Sequence, residues 1–158
     1  MSRAKGSEAE RELVHRFWAV PGWSAHRVAG SGSSTYPSPD IIAGSAERKL
    51  GIECKASSKA VQYLSAEQLG QLCTFCERFG AEPWLALRFP RADWLFVRPN
   101  ALDWSGSAWA ISRAKAAEVG LDFSGLLRQR PAPFSARYQK QLRRECKPQA
   151  SQVSSRRC

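Results

Sequence analysis

The apolar residues of the chain repeat with two different periods, which divide it into candidate helices and candidate strands. Over 7–18 and 66–79 they recur every three to four positions, the spacing of helices that bury one face. A Ser-x-x-Glu/Gln capping box predicts that the first helix begins at Ser7 and the second at Ser65. Gly80 follows the second helix as a terminating glycine. The pattern therefore predicts two long amphipathic helices.

Shorter apolar runs bounded by Pro, Gly, Ser and Asp predict strands. The run at 49–56 alternates, so that Leu50, Ile52 and Cys54 share one face while Glu53 and Lys55 share the other. A turn at residues 44–48 joins this run to the one before it as a β-hairpin. The predicted strands are 24–29, 39–43, 49–56, 83–89, 94–97 and 109–111, with a short helix at 123–127. Helices that alternate with strands predict a compact α/β domain.

Charge divides the chain into two unequal parts. The formal net charge is +10, but residues 1–127 hold 15 bases and 13 acids, whereas 128–158 hold nine bases and one acid. We predict one domain over 1–127 and a basic C-terminal tail over 128–158, partly helical near 137–146 or disordered. Such a balance favours a polyanionic partner, with nucleic acid first and an anionic membrane a distant second.

The remaining composition limits the class of protein. The 158 residues suffice for one domain with a core, and no run of about 18 apolar residues predicts a membrane span. The first nine residues lack the apolar segment of a secretory signal. The cysteine count of five is odd, and we expect an intracellular, reducing location in the cytoplasm or nucleoid, of a host cell if the source is viral. We interpret Cys73 and Cys76 as buried structural thiols in preference to zinc ligands or a redox pair.

Three charged residues on the predicted hairpin carry the candidate chemistry. Glu53 and Lys55 leave the same strand face, and pairing of the two strands brings Asp40 beside Glu53. Two adjacent carboxylates repel each other unless a cation joins them, and oxygen ligands favour Mg²⁺ or Mn²⁺. The backbone carbonyl of Cys54 is a further candidate ligand. A cation held there activates water for attack on a phosphodiester, with Lys55 stabilising the developing charge.

A simpler interpretation competes with this one. A Pro-Asp pair with a later Glu-x-Lys is a common coincidence, and Glu53 and Lys55 then form only an exposed strand face with a weak surface ion pair. The basic tail and the Gly/Ser-rich loop before Asp40 favour the metal site, since both suit a phosphate-bearing partner.

Four motifs in order resemble the archaeal-type Holliday-junction resolvases, a Hjc-like branch of the PD-(D/E)xK nuclease superfamily. The resemblance covers about residues 5–96 and excludes the tail. Its motifs are KGSEAERELV at 5–14, RVAGSG at 27–32 followed by PDIIAG at 39–44, LGIECK at 50–55, and the helix with its exit at 71–83. The one departure is Cys54, where an aliphatic residue or Met is more usual, and only its carbonyl is needed.

This resemblance implies a restriction-endonuclease-like α/β core, with a central mixed β-sheet flanked by helices. It implies a homodimer that resolves four-way DNA junctions by two symmetric Mg²⁺-dependent nicks, with Mn²⁺ as a substitute. Carried over by position, Glu10, Asp40 and Glu53 are metal-site carboxylates, and Lys55 is the catalytic lysine. Ser31, in the loop, assists at the active site and contacts DNA.

The resemblance also implies residues that bind DNA or a second copy of the chain. Arg11 and Arg27 contact the phosphates of the cleaved strand, and we add Lys5 and Lys59 to the DNA-binding set. Phe75 and Phe79 match aromatic residues of the family's dimer interface, although their i, i+4 spacing equally suits core packing. Glu10 has an alternative role as the N3 partner of Ser7 in a helix cap. Arg11 and Arg27 have one as solvated arginines, and Ser31 has one as part of a loop that is only flexible.

Two other functions stay open on the sequence alone. The protein is either another PD-(D/E)xK nuclease, acting on branched, flapped or mismatched DNA or in restriction, or a non-catalytic module that binds junctions or other nucleic acid. Retention of Asp40, Glu53 and Lys55 argues against the non-catalytic module.

Overall fold

The computed structural model describes residues 3–30 and 35–130, with side chains from residue 6 onward. Four helices and eight strands make up this part. In chain order they are α1 (Arg3–Trp18), β1 (Ser24–Arg27), β2 (Ile41–Gly44), β3 (Lys49–Ala56), β4 (Val61–Leu64), α2 (Ala66–Phe79), β5 (Glu82–Arg88), β6 (Trp94–Val97), β7 (Asp103–Trp104), β8 (Trp109–Ser112), α3 (Arg113–Val119) and α4 (Phe123–Arg128), with a 3₁₀ turn at Pro99–Ala101.

A five-stranded mixed sheet lies at the centre, with the strand order β1-β2-β3-β5-β6. Strands β3 and β5 pair in parallel, and every other pair in this sheet is antiparallel. The parallel pair requires a crossover, which β4 and α2 supply. The predicted hairpin between β2 and β3 is confirmed, with Ile41 paired to Ile52. A second sheet of three strands has the order β4-β8-β7.

One face of the central sheet packs against α1 and α4. Leu13 and Phe17 of α1 are fully buried against Ile41 and Ile52 of the hairpin, and α4 adds Leu126. The predicted alternation of β3 is confirmed here, because Leu50, Ile52 and Cys54 belong to this core. The packing fixes α1 over the hairpin that carries Asp40 and Glu53.

The opposite face packs against α2 and the smaller sheet. Leu69, Leu72 and Cys76 of α2 are buried with Leu85 of β5 and Ile111 of β8. The predicted cap of α2 is confirmed: the Ser65 hydroxyl accepts from the Gln68 N–H, and the Gln68 side chain accepts from the Ser65 N–H. Gly80 ends the helix with φ of 69°, which disfavours other residues.

The capping box predicted at Ser7 is wrong. Helix α1 begins at Arg3, so Ser7 lies inside the helix. Residues 3–5 are good helix formers and carry no proline, so the helix extends across Gly6. Glu10 is therefore not an N3 capping residue, and its alternative role in a helix cap is excluded.

Three elements are absent from the predicted set: β4, β7 and α3. In β4 the apolar-in, polar-out rule is inverted at two positions, since Gln62 is 3% exposed and donates to the Arg88 carbonyl while Tyr63 is 52% exposed. Helix α3 buries only Ala116, so no apolar period marks it. The helix predicted at 137–146 lies outside the described residues.

The interpretation of Cys73 and Cys76 as packing residues agrees with their positions. Cys76 is buried between α2 and β3, and Cys73 is half-buried. Burial raises the pKa of the Cys76 thiol to about 12, which keeps it protonated and unreactive at neutral pH.

A buried ion-pair cluster anchors the start of the parallel pair. Arg48, just before β3, donates to both carboxylate oxygens of Glu82 at 2.8 and 3.0 Å and to the Leu126 carbonyl at 2.7 Å. Arg98 donates to the same Glu82 carboxylate at 2.6 Å. Burial alone would raise the pKa of Glu82, but the Arg48 hydrogen bonds and the charges of both arginines lower it overall.

Candidate active site

The β2–β3 register brings Asp40 and Glu53 together. Asp40 directly precedes β2, and the pairing of Ile41 with Ile52 places it opposite Glu53 on the neighbouring strand. Its carboxylate is held in place because the Cys54 N–H donates to Asp40 Oδ2 at 2.9 Å. The sequence prediction that hairpin pairing joins these two carboxylates is confirmed as geometry.

Glu53 and Lys55 project from the same face of β3 and form an ion pair. The distance from Lys55 Nζ to Glu53 Oε1 is 3.2 Å, and both side chains are largely shielded from solvent. Burial and then the negative charge of Asp40 raise the pKa of Glu53 to about 7, although Lys55 opposes the shift. The ammonium group therefore offsets only part of the repulsion between the two carboxylates.

These groups line a cavity of about 230 Å³. Its walls come from α1, from the segment leading into β2, from β3 and from the first half of α2. The lining residues are Glu10, Ser38, Asp40, Glu53, Cys54, Lys55, Gln68 and Gln71. Four of the predicted catalytic residues thus share one concave site.

Glu10 reaches this cavity from α1. Its side chain is mostly shielded, and Arg27 of β1 donates to its Oε2. Arg27, which the resemblance assigns to DNA binding, is therefore tied to the same site through Glu10.

The donor set of the cavity fits a hard divalent cation. No group of three or more His, Cys, Asp or Glu side chains within 3–30 and 35–130 forms a complete metal site. Mg²⁺, however, keeps several water ligands and needs only one or two protein carboxylates. Asp40 and Glu53 supply two carboxylates that contact each other, and Lys55 compensates only part of their negative charge. Cys54 adds a candidate backbone carbonyl at the same cavity.

The remaining predicted site residues either do not line the cavity or lie outside the described part of the chain. Arg11 and Lys59 are exposed and do not line the cavity. Phe75 and Phe79 of α2 stack on each other at 5.1 Å, and the Phe79 side chain is 45% exposed. Ser31 lies outside the described residues, as does the side chain of Lys5.

Three lining residues were not predicted: Ser38, Gln68 and Gln71. The capping box does identify Gln68, and Gln71 one turn later occupies the same helix face. Ser38 lies two residues before Asp40, and residues two apart in extended backbone share a side, so this spacing is the signal that would have identified Ser38.

Comparison with known proteins gives a consistent result. A family model described as archaeal Holliday junction resolvase (Hjc) matches residues 1–132. The crossover junction endodeoxyribonuclease Hjc of Archaeoglobus fulgidus is 46% identical over 101 residues, which are 64% of this chain and 74% of that protein. The Hjc of Methanocaldococcus jannaschii is 38% identical over 120 residues, 75% of this chain and 84% of its own length.

A solved structure extends the comparison to the fold. The structure of Archaeoglobus fulgidus Hjc matches with a TM-score of 0.70 and 38% identity, covering 76% of this chain and 96% of that one. The mixed sheet with flanking helices is thus the restriction-endonuclease-like α/β fold expected from the sequence. The chain belongs to the archaeal Holliday junction resolvase (Hjc) family.

Proposed function

We propose that this protein is a Mg²⁺-dependent endodeoxyribonuclease that resolves four-way DNA junctions by paired symmetric nicks. The observation that carries the proposal is the contact between Asp40 and Glu53 beside Lys55 in one cavity. The relatives named crossover junction endodeoxyribonuclease supply the substrate class.

Asp40, Glu53 and the Cys54 carbonyl are the residues that would hold Mg²⁺, with Mn²⁺ as a substitute. Mg²⁺, when bound, supplies Lewis-acid activation of the attacking water and of the phosphate. The Cys54 N–H orients Asp40 through its 2.9 Å hydrogen bond, so the carboxylate is positioned before any ligand arrives. Glu10 joins these groups from α1 as a third carboxylate, and its ion pair with Arg27 must rearrange if it ligates the cation directly.

Lys55 is the catalytic cation of the chain itself. Its ammonium lies 3.2 Å from Glu53 Oε1, inside the cavity, where shielding from solvent strengthens its interaction with charge. From there it stabilises the extra negative charge that builds on the phosphate as the bond breaks.

DNA binding is assigned to basic residues that do not line the cavity. Arg27 is tied to the site through Glu10, and Arg11 and Lys59 are exposed and available to contact phosphates. Lys5 and Ser31 complete this set, Ser31 by family resemblance. Selectivity for junctions then comes from DNA shape and backbone contacts, since no base-reading element is evident in the sequence.

A two-fold dimer matches the two-fold symmetry of the substrate. One site cuts one strand, whereas resolution needs two opposed cuts. The partly exposed aromatic pair Phe75 and Phe79 is the assigned contact surface, and Lys49 lies beside it, with its Nζ 5.2 Å from the Phe79 ring centre and donating to the Phe79 carbonyl at 3.0 Å.

Replacement of Asp40 by Asn tests the proposed chemistry. The amide oxygen can still accept from the Cys54 N–H, so the hairpin is retained while the negative charge is lost. We expect Mg²⁺-dependent cleavage of a four-way junction to be abolished and junction binding to be unchanged or tighter. Asp103→Asn, an exposed change on β7 at a carboxylate paired with Lys115, is the matched control. Normal cleavage by Asp40→Asn would contradict the assignment.

A further inference from the structure

The hydroxyl of Ser38 is a buried polar group without a hydrogen bond. In the part of the chain that the structure describes, three buried side-chain polar atoms lack a partner: Ser38 Oγ and the indole nitrogens of Trp94 and Trp109. The two indoles belong to the hydrophobic cores. Ser38 alone of the three lines the candidate active-site cavity. Because buried polar groups are nearly always paired, its partner is expected to be a molecule that enters this cavity.

The backbone holds Ser38 in position. Proline flanks it on both sides, and Pro39 is buried. A residue before proline is confined to extended conformations, and the ring of Pro37 fixes its own φ. In extended backbone, residues two apart share a side, which agrees with Ser38 and Asp40 both lining the cavity. The segment that carries Asp40 therefore also holds Ser38 at the wall of the cavity.

The neighbours of Ser38 indicate what it binds. The cavity is also lined by three carboxylates and one ammonium, yet Ser38 Oγ bonds to none of these groups. A hydroxyl can donate to an anionic oxygen without adding charge to the site. An acceptor oxygen of a phosphodiester meets this requirement, since its charge is drawn to the same cavity by Lys55.

We propose that Ser38 donates a hydrogen bond to a non-bridging oxygen of the scissile phosphate. This inference rests on the proposed nuclease function and adds a substrate-contacting residue to it. Ser38 is distinct from Ser31, the loop serine that the family resemblance brings to the site.

The proposal makes stability and activity respond in opposite directions to one change. Ser38→Ala removes an unpaired buried hydroxyl, which should raise Tm by about 2–4 °C in metal-free buffer. The same change should lower the single-turnover cleavage rate by roughly 10- to 100-fold, the range for one hydrogen bond to a charged group. Removal of a hydroxyl with a merely structural role would not raise Tm and lower the cleavage rate in the same variant.

Matched variants separate the possible outcomes. Ser124→Ala, an exposed change on α4, should leave both Tm and rate unchanged. Ser38→Thr keeps a hydroxyl and should recover most of the rate. Cleavage by Ser38→Ala within twofold of the wild type would overturn the proposal. So would a fall in both Tm and rate that Ser38→Thr does not correct, because that result assigns Ser38 to packing.

A modified substrate tests the contact with phosphate directly. Junctions carrying a single phosphorothioate of each configuration at the cleavage site replace one non-bridging oxygen by the weaker acceptor sulfur. For one configuration, the rate loss from sulfur should be smaller in Ser38→Ala than in the wild type, since the contact is already gone. If, for each configuration, sulfur lowered the rate of Ser38→Ala as much as the rate of the wild type, the proposal would be overturned. If the wild type and Ser124→Ala cleave no junction with Mg²⁺, the proposed function itself fails, and Ser38 has no phosphate to contact.

Discussion

At the scale of single residues, Glu53 shows how the site stores unfavourable charge. The carboxylate is buried next to Asp40, and Lys55 only partly compensates, so its pKa rises to about 7. An acid whose pKa is raised on folding binds more protons in the native than in the unfolded state between the two pKa values. The free energy of unfolding of the metal-free protein should therefore fall as pH rises from about 4.5 to 7.

Replacing Glu53 by Gln should stabilise the metal-free protein at high pH. The amide has a similar shape and no charge, so we expect a gain of roughly 1–3 kcal/mol at pH 8 that disappears near pH 4. Denaturant unfolding with EDTA across this pH range measures it. Glu118→Gln on the exposed face of α3 should show no pH-dependent gain. If Glu53→Gln were less stable than the wild type at pH 8, the claim that the charge of Glu53 destabilises the folded protein would be contradicted.

The residues that could be predicted are those fixed by local pairing. Asp40, Glu53 and Lys55 lie on one hairpin, whose register follows from strand alternation and a short turn. Gln71 and Glu10 reach the same cavity from separate helices, so their meeting depends on how those helices pack. For Glu10 the prediction came from family resemblance, because the capping pattern around it pointed to a different role.

At the scale of elements, α2 packs tightly against β3 at Gly51. A Cβ placed on Gly51 would lie 2.5 Å from Cys76 Sγ, a distance that real Cβ atoms essentially never show. Gly51 pairs with β2 on one side and with β5 on the other, so the strand cannot move away. Glycine here allows α2 to pack closely on the strand that carries Glu53.

Gly51→Ala should destabilise the protein through overpacking. We expect a loss of about 1–3 kcal/mol in the free energy of unfolding. Cys76→Ala removes the clashing sulfur, so the double variant should be more stable than the sum of the two single changes indicates. If the losses of stability added up in a double-mutant cycle measured by denaturant unfolding, the two positions would not compete for space.

Elements were predictable where burial follows the sequence period. Both long helices bury one regular face, and the predicted bounds of β3 are confirmed, although β3 also buries Gly51 and Glu53 on its other face. Strand β4 hides Gln62 and exposes Tyr63, so its pattern gives no sign of which face is inside. Helix α3 depends on its Ser112 cap and the Ala116 contact, which tertiary packing supplies and a single sequence does not reveal.

At the scale of the whole molecule, most of the net positive charge lies outside the region that contains the candidate active site. The region up to residue 127 is nearly neutral and contains the cavity, while nine of the 24 basic residues follow it. No helix in the described ranges is long and apolar enough to cross a membrane. We propose that residues 1–127 form the nuclease domain and that 128–158 act as a tail that adds DNA affinity. Helix α4 ends at Arg128, so the first residue of this tail belongs to the helix.

Neutralising part of the tail should weaken DNA binding without regard to DNA form. Replacing Arg143, Arg144 and Lys147 together by Gln should lower affinity for junction and linear duplex alike. It should also reduce the slope of log affinity against log salt by up to about 3, near one unit per phosphate contact. Titrations at several salt concentrations measure the slope, with Arg113→Gln on α3 as the control for charge removed elsewhere. An unchanged slope would contradict the affinity role.

Cleavage of an immobile four-way junction, compared with linear duplex of the same sequence in Mg²⁺ and in EDTA, tests the central claim most directly. We expect two nicks in opposed strands of the junction with Mg²⁺, little cutting of the duplex, and none of either with EDTA. Equal cutting of junction and duplex would contradict the junction-resolving activity, and cleavage that persists in EDTA would contradict the metal site at Asp40 and Glu53.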